Sequence, residues 1–200
     1  MYVLQYCSLG ETEDSDAWYN KGVELGKLER HEEAIACFEE AIRLDPENPK
    51  AWWNIGITFV QQGKYEEVVA CFDKIIKFDP KISSSWNNKG TALLRLERHE
   101  EALSCFEEAI RLDPEYSVAW YNKAIALGEL ERHEEAIACY EEAIKWDPEY
   151  SVAWNNKGSS LASLGRHEEA LSCFEEAIRL DPEYSVAWYN KAIALGELER

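Results

Sequence analysis

Residues 98–132, RHEEALSCFEEAIRLDPEYSVAWYNKAIALGELER, recur letter for letter as residues 166–200, 68 positions later. Diverged copies stand at half that offset along the chain, so the basic period is 34 residues. A unit this short cannot bury an apolar face alone. It has to stack on its neighbours, which restricts the chain to a linear repeat array. The array is framed as 15–48, 49–82, 83–116, 117–150 and 151–184, with a half repeat at 185–200. Residues 1–14 match no repeat and form a leader that either caps the first repeat through Tyr2, Val3, Leu4, Tyr6 and Leu9 or stays mobile.

Prolines hold the frame. Pro46, Pro80, Pro114, Pro148 and Pro182 each follow an aspartate, and proline cannot continue a helix interior, so each marks a helix end. The serines that follow, Ser83, Ser117, Ser151 and Ser185, are the expected N-caps of the next helices. Two helices fit between successive prolines. In the first, Trp120, Lys123, Ala124, Leu127 and Leu130 share one helical face; in the second, Ala102, Leu103, Phe106, Ala109, Ile110 and Leu112 do so. The turn between them carries Gly63 or Gly165 in two repeats and Glu29, Glu97 or Glu131 in the others. A left-handed backbone there would cost each glutamate about 1 kcal/mol relative to glycine.

A 34-residue helix-turn-helix unit with these landmarks resembles the tetratricopeptide repeat. Repeat one supplies Trp18, Gly22, Leu25, Ala34, Phe38, Ala41 and Pro46, and repeat three Trp86, Gly90, Leu93, Ala102, Phe106, Ala109 and Pro114. The likeness covers residues 15–200 and implies an all-α fold, a right-handed superhelical solenoid of antiparallel helix pairs. It also implies that the groove lined by the first helices binds extended or helical segments of partner proteins.

Small residues at Gly22, Gly56, Gly90 and Ala124 allow close approach of the two helices in a repeat, and Ala41, Ala109, Ala143 and Ala177 do the same between repeats. Repeat two departs from this with Val68 and Ile75, whose extra methylenes predict wider spacing or altered curvature there. Lys21, Lys89, Lys123, Lys157 and Lys191 replace the family's usual leucine three residues after the Trp; their stems can lie on the packed face while the ammonium reaches a neighbouring helix end or Asp. The glutamates equivalent to Glu100, Glu101, Glu107 and Glu108 stack on the outer face of the second helices, with Glu107–Arg111 pairs expected as support.

Charge and motif content narrow the function. With 21 basic and 39 acidic residues, net −18, the chain repels phosphate backbones, which argues against nucleic acid and anionic membrane surfaces as partners. No apolar run is long enough to span a bilayer, and residues 1–14 do not read as a signal peptide. Cys37, Cys71, Cys105, Cys139 and Cys173 occupy one slot of successive repeats, at helix spacings too wide for disulfides, so free thiols and a cytoplasmic location are expected; Cys7 stands apart. His99-Glu100-Glu101 begins like a zinc-protease helix, but Leu103 stands where the second histidine belongs. No phosphate loop, nucleophile elbow or Cys-x-x-Cys occurs. Neither catalytic activity, nor a metal, nor a cofactor is expected.

The candidate site is therefore the groove, with Tyr19, Asn20, Trp53, Asn54, Asn87, Asn88, Tyr121, Asn122, Ile125, Asn155, Asn156, Tyr189 and Asn190 as the proposed peptide-facing residues. An asparagine recurs two positions after each Trp, suited either to a peptide backbone or to bridging between helices. The lysine–asparagine carboxylate clamp of some cochaperones in this family does not carry over: its first Lys and Asn slots hold Tyr19 and Val23 and its later Lys and Arg slots Ser84 and Asn88, while Asn54 matches its middle Asn and Lys50 is an isolated match. Groove slots alternate between polar and aromatic repeats, Asn87 then Tyr121, Asn155 then Tyr189, so the recognition unit is read as two repeats. The expected role is a non-catalytic scaffold for protein or peptide ligands. Two alternatives stand beside it: end-to-end self-association through Trp188, Ala192, Ile193 and Leu195, and service as the scaffold portion of a larger multidomain protein. The duplicate stops where the chain stops, and so the chain reads as a piece of a longer array.

Overall fold

The structure is a computed structural model and describes residues 14–199. Eleven α-helices follow one another among the described residues. Two compact units, Met1–Leu96 and Glu97–Arg200, divide them. The first holds α1 (Ser15–Lys27), α2 (His31–Leu44), α3 (Pro49–Gln61), α4 (Tyr65–Phe78) and α5 (Ser83–Arg95). The second holds α6 (His99–Leu112), α7 (Ser117–Glu129), α8 (His133–Trp146), α9 (Ser151–Ser163), α10 (His167–Leu180) and α11 (Ser185–Leu198). Odd-numbered helices begin 34 residues apart, as the repeat requires. The leader residues Tyr2, Val3, Leu4, Tyr6, Cys7 and Leu9 lie outside the described residues.

Within a repeat the first helix ends in a left-handed residue. Glu29 has φ 59°, Glu97 and Glu131 58°, Gly63 70° and Gly165 74°. At the end of α1 the Glu29 N–H donates to the Gly26 carbonyl and the Arg30 N–H to that of Leu25, both at 3.0 Å. This doubly bonded closure satisfies the last carbonyls of the helix, and it recurs after α3, α7 and α9. The glutamates hold the conformation because that closure and the packing behind it outweigh their steric cost. Arg30 then starts α2: its carbonyl accepts from the Ala34 N–H at 2.9 Å, and its guanidinium grips Glu33 at 2.6 and 2.7 Å. Arg132 with Glu135 and Arg166 with Glu169 repeat the grip. The Arg hydrogen bonds hold the Glu33, Glu135 and Glu169 carboxyls below their usual range.

The joint between repeats is built differently from the sequence expectation. Ser83, Ser117, Ser151 and Ser185 do not cap; they are the first residues inside their helices, and Ile82, Tyr116, Tyr150 and Tyr184 occupy the cap position without a side-chain hydrogen bond. The turn is fixed instead by the repeat tryptophan. Its indole N–H donates to the proline carbonyl six residues back: Trp52 to Pro46 at 3.3 Å, Trp86 to Pro80 and Trp120 to Pro114 at 2.9 Å, Trp154 to Pro148 at 3.3 Å and Trp188 to Pro182 at 3.0 Å. Among the described residues, the helix starts capped by a side chain are that of α1, by Asp14, and that of α3, by Asn48.

The lysines three residues on from the tryptophans complete the joint. Lys123 Nζ lies 6.0 Å from the centre of the Trp120 ring and 3.1 Å from Glu107 of the preceding second helix. Lys89 reaches Asp73 at 2.7 Å, and Lys157 and Lys191 reach Glu141 and Glu175 at 2.9 Å, each ammonium over its own indole. The partner is thus a mid-helix acid and not a helix end. Glu107 is consequently not the mate of Arg111, which pairs with Glu108 at 2.8 Å.

The core follows the small-residue logic. Ala34, Ala41, Ala51, Ala102, Ala109, Ala119, Ala136, Ala143, Ala153, Ala170, Ala177 and Ala187 have no exposed surface, and Phe72 and Phe106 are equally sealed. Each such aromatic contributes about 1.5–3 kcal/mol on burial. A Cβ added to Gly22 would stand 2.6 Å from the Phe38 ring, and one on Gly158 2.6 Å from that of Phe174. In repeat two the same test at Gly56 gives 3.1 Å to Phe72, and the backbones of α3 and α4 approach over less of their length than those of α1 and α2. Val68 and Ile75, which stand where other repeats carry alanine, are both fully buried there.

Two outcomes are expected from substitutions at these backbone positions. Glu29→Gly and Glu131→Gly each raise the urea unfolding midpoint, by about 1 kcal/mol in stability, while Gly165→Glu lowers it by about as much. Calorimetry of Gly22→Ala and Gly158→Ala shows losses of about 1–3 kcal/mol as the phenylalanine rings are displaced. Gly26→Ala, whose Cβ meets nothing within 4 Å, gains up to about 1 kcal/mol in helix propensity.

Candidate peptide-binding groove

The side of the first helices turned away from their second helices carries the residues expected to face a ligand, and the structure sorts them into three groups. Aromatic residues one position after the repeat tryptophan lie partly buried on the core. Tyr19 meets the Phe38 ring at 5.9 Å, Trp53 meets Phe72 edge-on at 5.2 Å, and Tyr121 meets Tyr140 at 5.9 Å. Tyr189, in α11, is 67% exposed.

Asparagines two positions after the tryptophan bridge neighbouring first helices. The Asn54 amide donates to the Tyr19 hydroxyl at 3.1 Å and to the Lys50 carbonyl at 3.0 Å. Asn156 donates to the Tyr121 hydroxyl at 3.1 Å, and Asn190 to the Asn155 carbonyl oxygen at 2.9 Å. Asn20 is exposed, while Asn88, Asn122 and Ile125 are half-buried on the same side. Of the two uses that the asparagine slot allows, helix bridging is the one this geometry displays; it locks the tyrosine hydroxyls in place.

Asn87 and Asn155 correct the sequence expectation. They are 4% and 2% exposed and sit below the surface, so they are withdrawn from direct contact with a ligand. Asn155 is spanned by Asn156 and Asn190. The alternation of Asn with Tyr therefore alternates a sunken polar slot with a raised aromatic one.

A further row of aromatic residues was not among the expected site. Tyr116, Tyr150 and Tyr184 stand at the cap positions of α7, α9 and α11. Tyr150 lies 4.8 Å from Tyr121, centroid to centroid, with the rings tilted by 39°. Tyr184 is within electrostatic reach of Tyr121, and Tyr116 of Tyr150. Burial pushes all these phenols up, Tyr150 to about 12, so each remains a neutral O–H at ordinary pH. The signal was available as Pro-Glu-Tyr-Ser at 114–117, 148–151 and 182–185, a stretch whose proline and serine drew attention to the turn and away from the tyrosine.

Reactive chemistry finds little footing. Cys37, Cys71, Cys105, Cys139 and Cys173 are buried thiols outside any disulfide, and burial pushes Cys71 up to about 12 and Cys139 to about 11. Such thiols are poor nucleophiles. Among the described residues no three of His, Cys, Asp or Glu are grouped to hold a metal ion, and no helix is long and apolar enough to cross a membrane.

Comparisons with known proteins agree on the architecture. Solved structures with the same fold include YrrB, described as a TPR protein with an unusual peptide-binding site, at TM-score 0.75 and 23% identity over 96% of this chain and 98% of that one. MamA from Desulfovibrio magneticus RS-1 matches at TM-score 0.80 and 23% identity over 88% and 99%. PilW, described as a widely conserved type IV pilus biogenesis factor, matches at 0.79 and 21% over 92% and 87%. No curated protein matches in sequence. A tetratricopeptide repeat model matches residues 173–200, and the model described as Cilia and flagella-associated protein 70 C-terminal domain matches residues 3–183. Spanning most of the chain, that match makes this protein a member of the Cilia and flagella-associated protein 70 C-terminal domain family, with the all-α tetratricopeptide-repeat fold.

Proposed function

We propose that the chain is a non-catalytic scaffold that holds segments of partner proteins against the open face of its first helices. The observation that carries this reading is the hydrogen-bonded aromatic–amide surface there. Tyr19 and Tyr121 are locked by Asn54 and Asn156 at 3.1 Å, so the surface is rigid before any ligand arrives. A rigid surface loses little side-chain entropy on binding, and phenol and amide groups offer both ring faces and hydrogen bonds to an extended backbone. The description of YrrB as carrying a peptide-binding site supports the same use of the fold. The aligned buried thiols suit a reducing compartment such as the cytoplasm.

End-to-end self-association is a second reading with an observation of its own. Trp188 is 51% exposed and Ile193 49%, and Leu195 and Leu198 are exposed on the same helix, α11. Sedimentation over a concentration series tests it: association is expected, reversed by Trp188→Asp with Ile193→Asp, and a monomer at every concentration overturns it.

The groove reading is tested by selecting displayed random peptides on the whole chain and measuring the affinity of the winners by calorimetry. Tyr121→Ala with Asn122→Ala is expected to weaken them by about tenfold or more, or about 1.4 kcal/mol. Glu108→Ala with Arg111→Ala, on an exposed ion pair of α6, leaves affinity unchanged. Equal affinity for the wild type and the Tyr121 variant would place binding on another surface.

A further inference from the structure

The tyrosine row of the second unit has a chemical setting that points to one class of ligand. Each loop tyrosine closes a turn on the aspartate three residues before it, its N–H donating to the aspartate's backbone carbonyl: Tyr116 to Asp113 and Tyr150 to Asp147 at 3.2 Å, and Tyr184 to Asp181 at 3.1 Å. Each aspartate is held by its own turn, its Oδ1 accepting the backbone N–H two residues on at 3.1–3.2 Å. Glu129 is exposed and within reach of Tyr140, beneath Tyr121. The row thus pairs aromatic faces with fixed carboxylates at a regular spacing.

The protein's own cations are engaged elsewhere. Lys123, Lys157 and Lys191 are bound to glutamates of the second helices, as are Arg98, Arg132 and Arg166 at the helix starts. Arg111, Lys145 and Arg179 pair with Glu108, Glu142 and Glu176. Residues 97–200 carry 23 acidic and 10 basic side chains, so the field over the unit is negative. A guanidinium stacks on an aromatic face, stays charged when it is partly desolvated, and pairs with a carboxylate through its edge. A tyrosine–aspartate strip offers both contacts together. An acidic segment would be repelled, and a neutral proline-rich segment would use the rings and leave the carboxylates unanswered.

We propose that Tyr116, Tyr150 and Tyr184, with Tyr121 packed against Tyr150, form a docking strip for an arginine-bearing extended segment of a partner protein. This rests on the groove reading above and names the chemistry of its ligand. The guanidinium groups lie on the phenol rings, and Asp147 and Asp181 take their edges. The amide row supplied by Asn122 and Asn156 lies alongside.

The test uses the whole chain and three fluorescein-labelled repeat peptides of equal length, Arg-Ser-Gly, Lys-Ser-Gly and Pro-Ser-Gly, read by fluorescence anisotropy at physiological salt. The arginine peptide is expected to bind tightest, and Tyr150→Ser with Tyr184→Ser, which leaves net charge unchanged, weakens it by about tenfold or more. Tyr150→Phe retains binding because the ring face remains. Should the serine variant lose helicity, Asp147→Asn with Asp181→Asn makes the same test: the amide oxygen still accepts the turn hydrogen bond, and the arginine peptide is expected to weaken by about threefold or more. The proposal is overturned if arginine and lysine peptides bind equally and neither responds to these substitutions, which means diffuse attraction to an acidic protein. It is also overturned if the proline peptide binds tightest. Groove-dependent binding of selected peptides that lack arginine would sink this inference and leave the groove reading standing, whereas selected peptides indifferent to Tyr121→Ala with Asn122→Ala would sink that reading itself.

Discussion

The bond from the repeat tryptophan's indole to the carbonyl of the proline six residues back is the constraint on which the remainder of the stack depends. A proline ends each second helix, and without a restraint the chain would leave that turn in many directions. The indole N–H closes the turn at 2.9–3.3 Å in five successive joints. In four of these joints the same ring carries a lysine ammonium, which also reaches an acid of the preceding second helix at 2.7–3.1 Å. Three elements of adjacent repeats are thereby tied through one side chain. The ion pair adds little by itself because the acids are more than half exposed; its contribution is to keep the indole edge pointed at the proline.

Close packing inside each repeat follows from that alignment. Where a glycine faces the second helix, a phenylalanine ring fills the space its missing Cβ leaves, as Phe38 does over Gly22 and Phe174 over Gly158. Repeat four has Ala124 and Tyr140 in those two slots instead, both buried. The Tyr140 ring lies 5.9 Å from that of Tyr121, whose hydroxyl accepts from Asn156 of the next repeat at 3.1 Å. The same amide–phenol pair joins Asn54 to Tyr19 where Phe38 fills the core slot, so the pair is set by the residues of the first helices and not by the core substitution.

The fold was legible in the chain because its signals are local and repeated. Proline spacing, the tryptophan and phenylalanine slots and the small residues between them each specify one contact, and five copies in register leave no competing period. The left-handed turn was legible for the same reason, since Gly63 and Gly165 share a slot with the glutamates. The capping serines were misread because serine at a helix start ordinarily accepts a backbone N–H, and only the three-dimensional turn shows the cap position one residue earlier and an indole closing the joint. Surface depth was not legible in the same way. Tyr121 and Asn122 are half-buried, whereas Asn87 and Asn155, which share Tyr121's slot, are buried. Depth depends on side-chain length and on what the next helix lays over it, and periodicity records neither. Tyr150 belongs to the same surface through a contact made 29 residues along the chain from Tyr121, at 4.8 Å.

Helices α7 and α11 separate what the sequence settled from what the structure did. Both contain SVAWYNKAIALGE, and both are helices, because propensity, apolar period and the tryptophan-to-proline closure are carried within the repeated stretch itself. Their environments differ. Leu127 is 1% exposed under α8, whereas Leu195, the same residue in the copy, is 40% exposed. Identical letters therefore determined the helix, its start and its apolar side, but not its end, since Glu131 is left-handed at φ 58° and the equivalent Glu199 has φ -87° with α11 one residue longer. They also left undecided whether the apolar side is core or surface. That decision belongs to the neighbouring elements, because burial is a property of the pair of surfaces that meet and a single helix encodes only one of them.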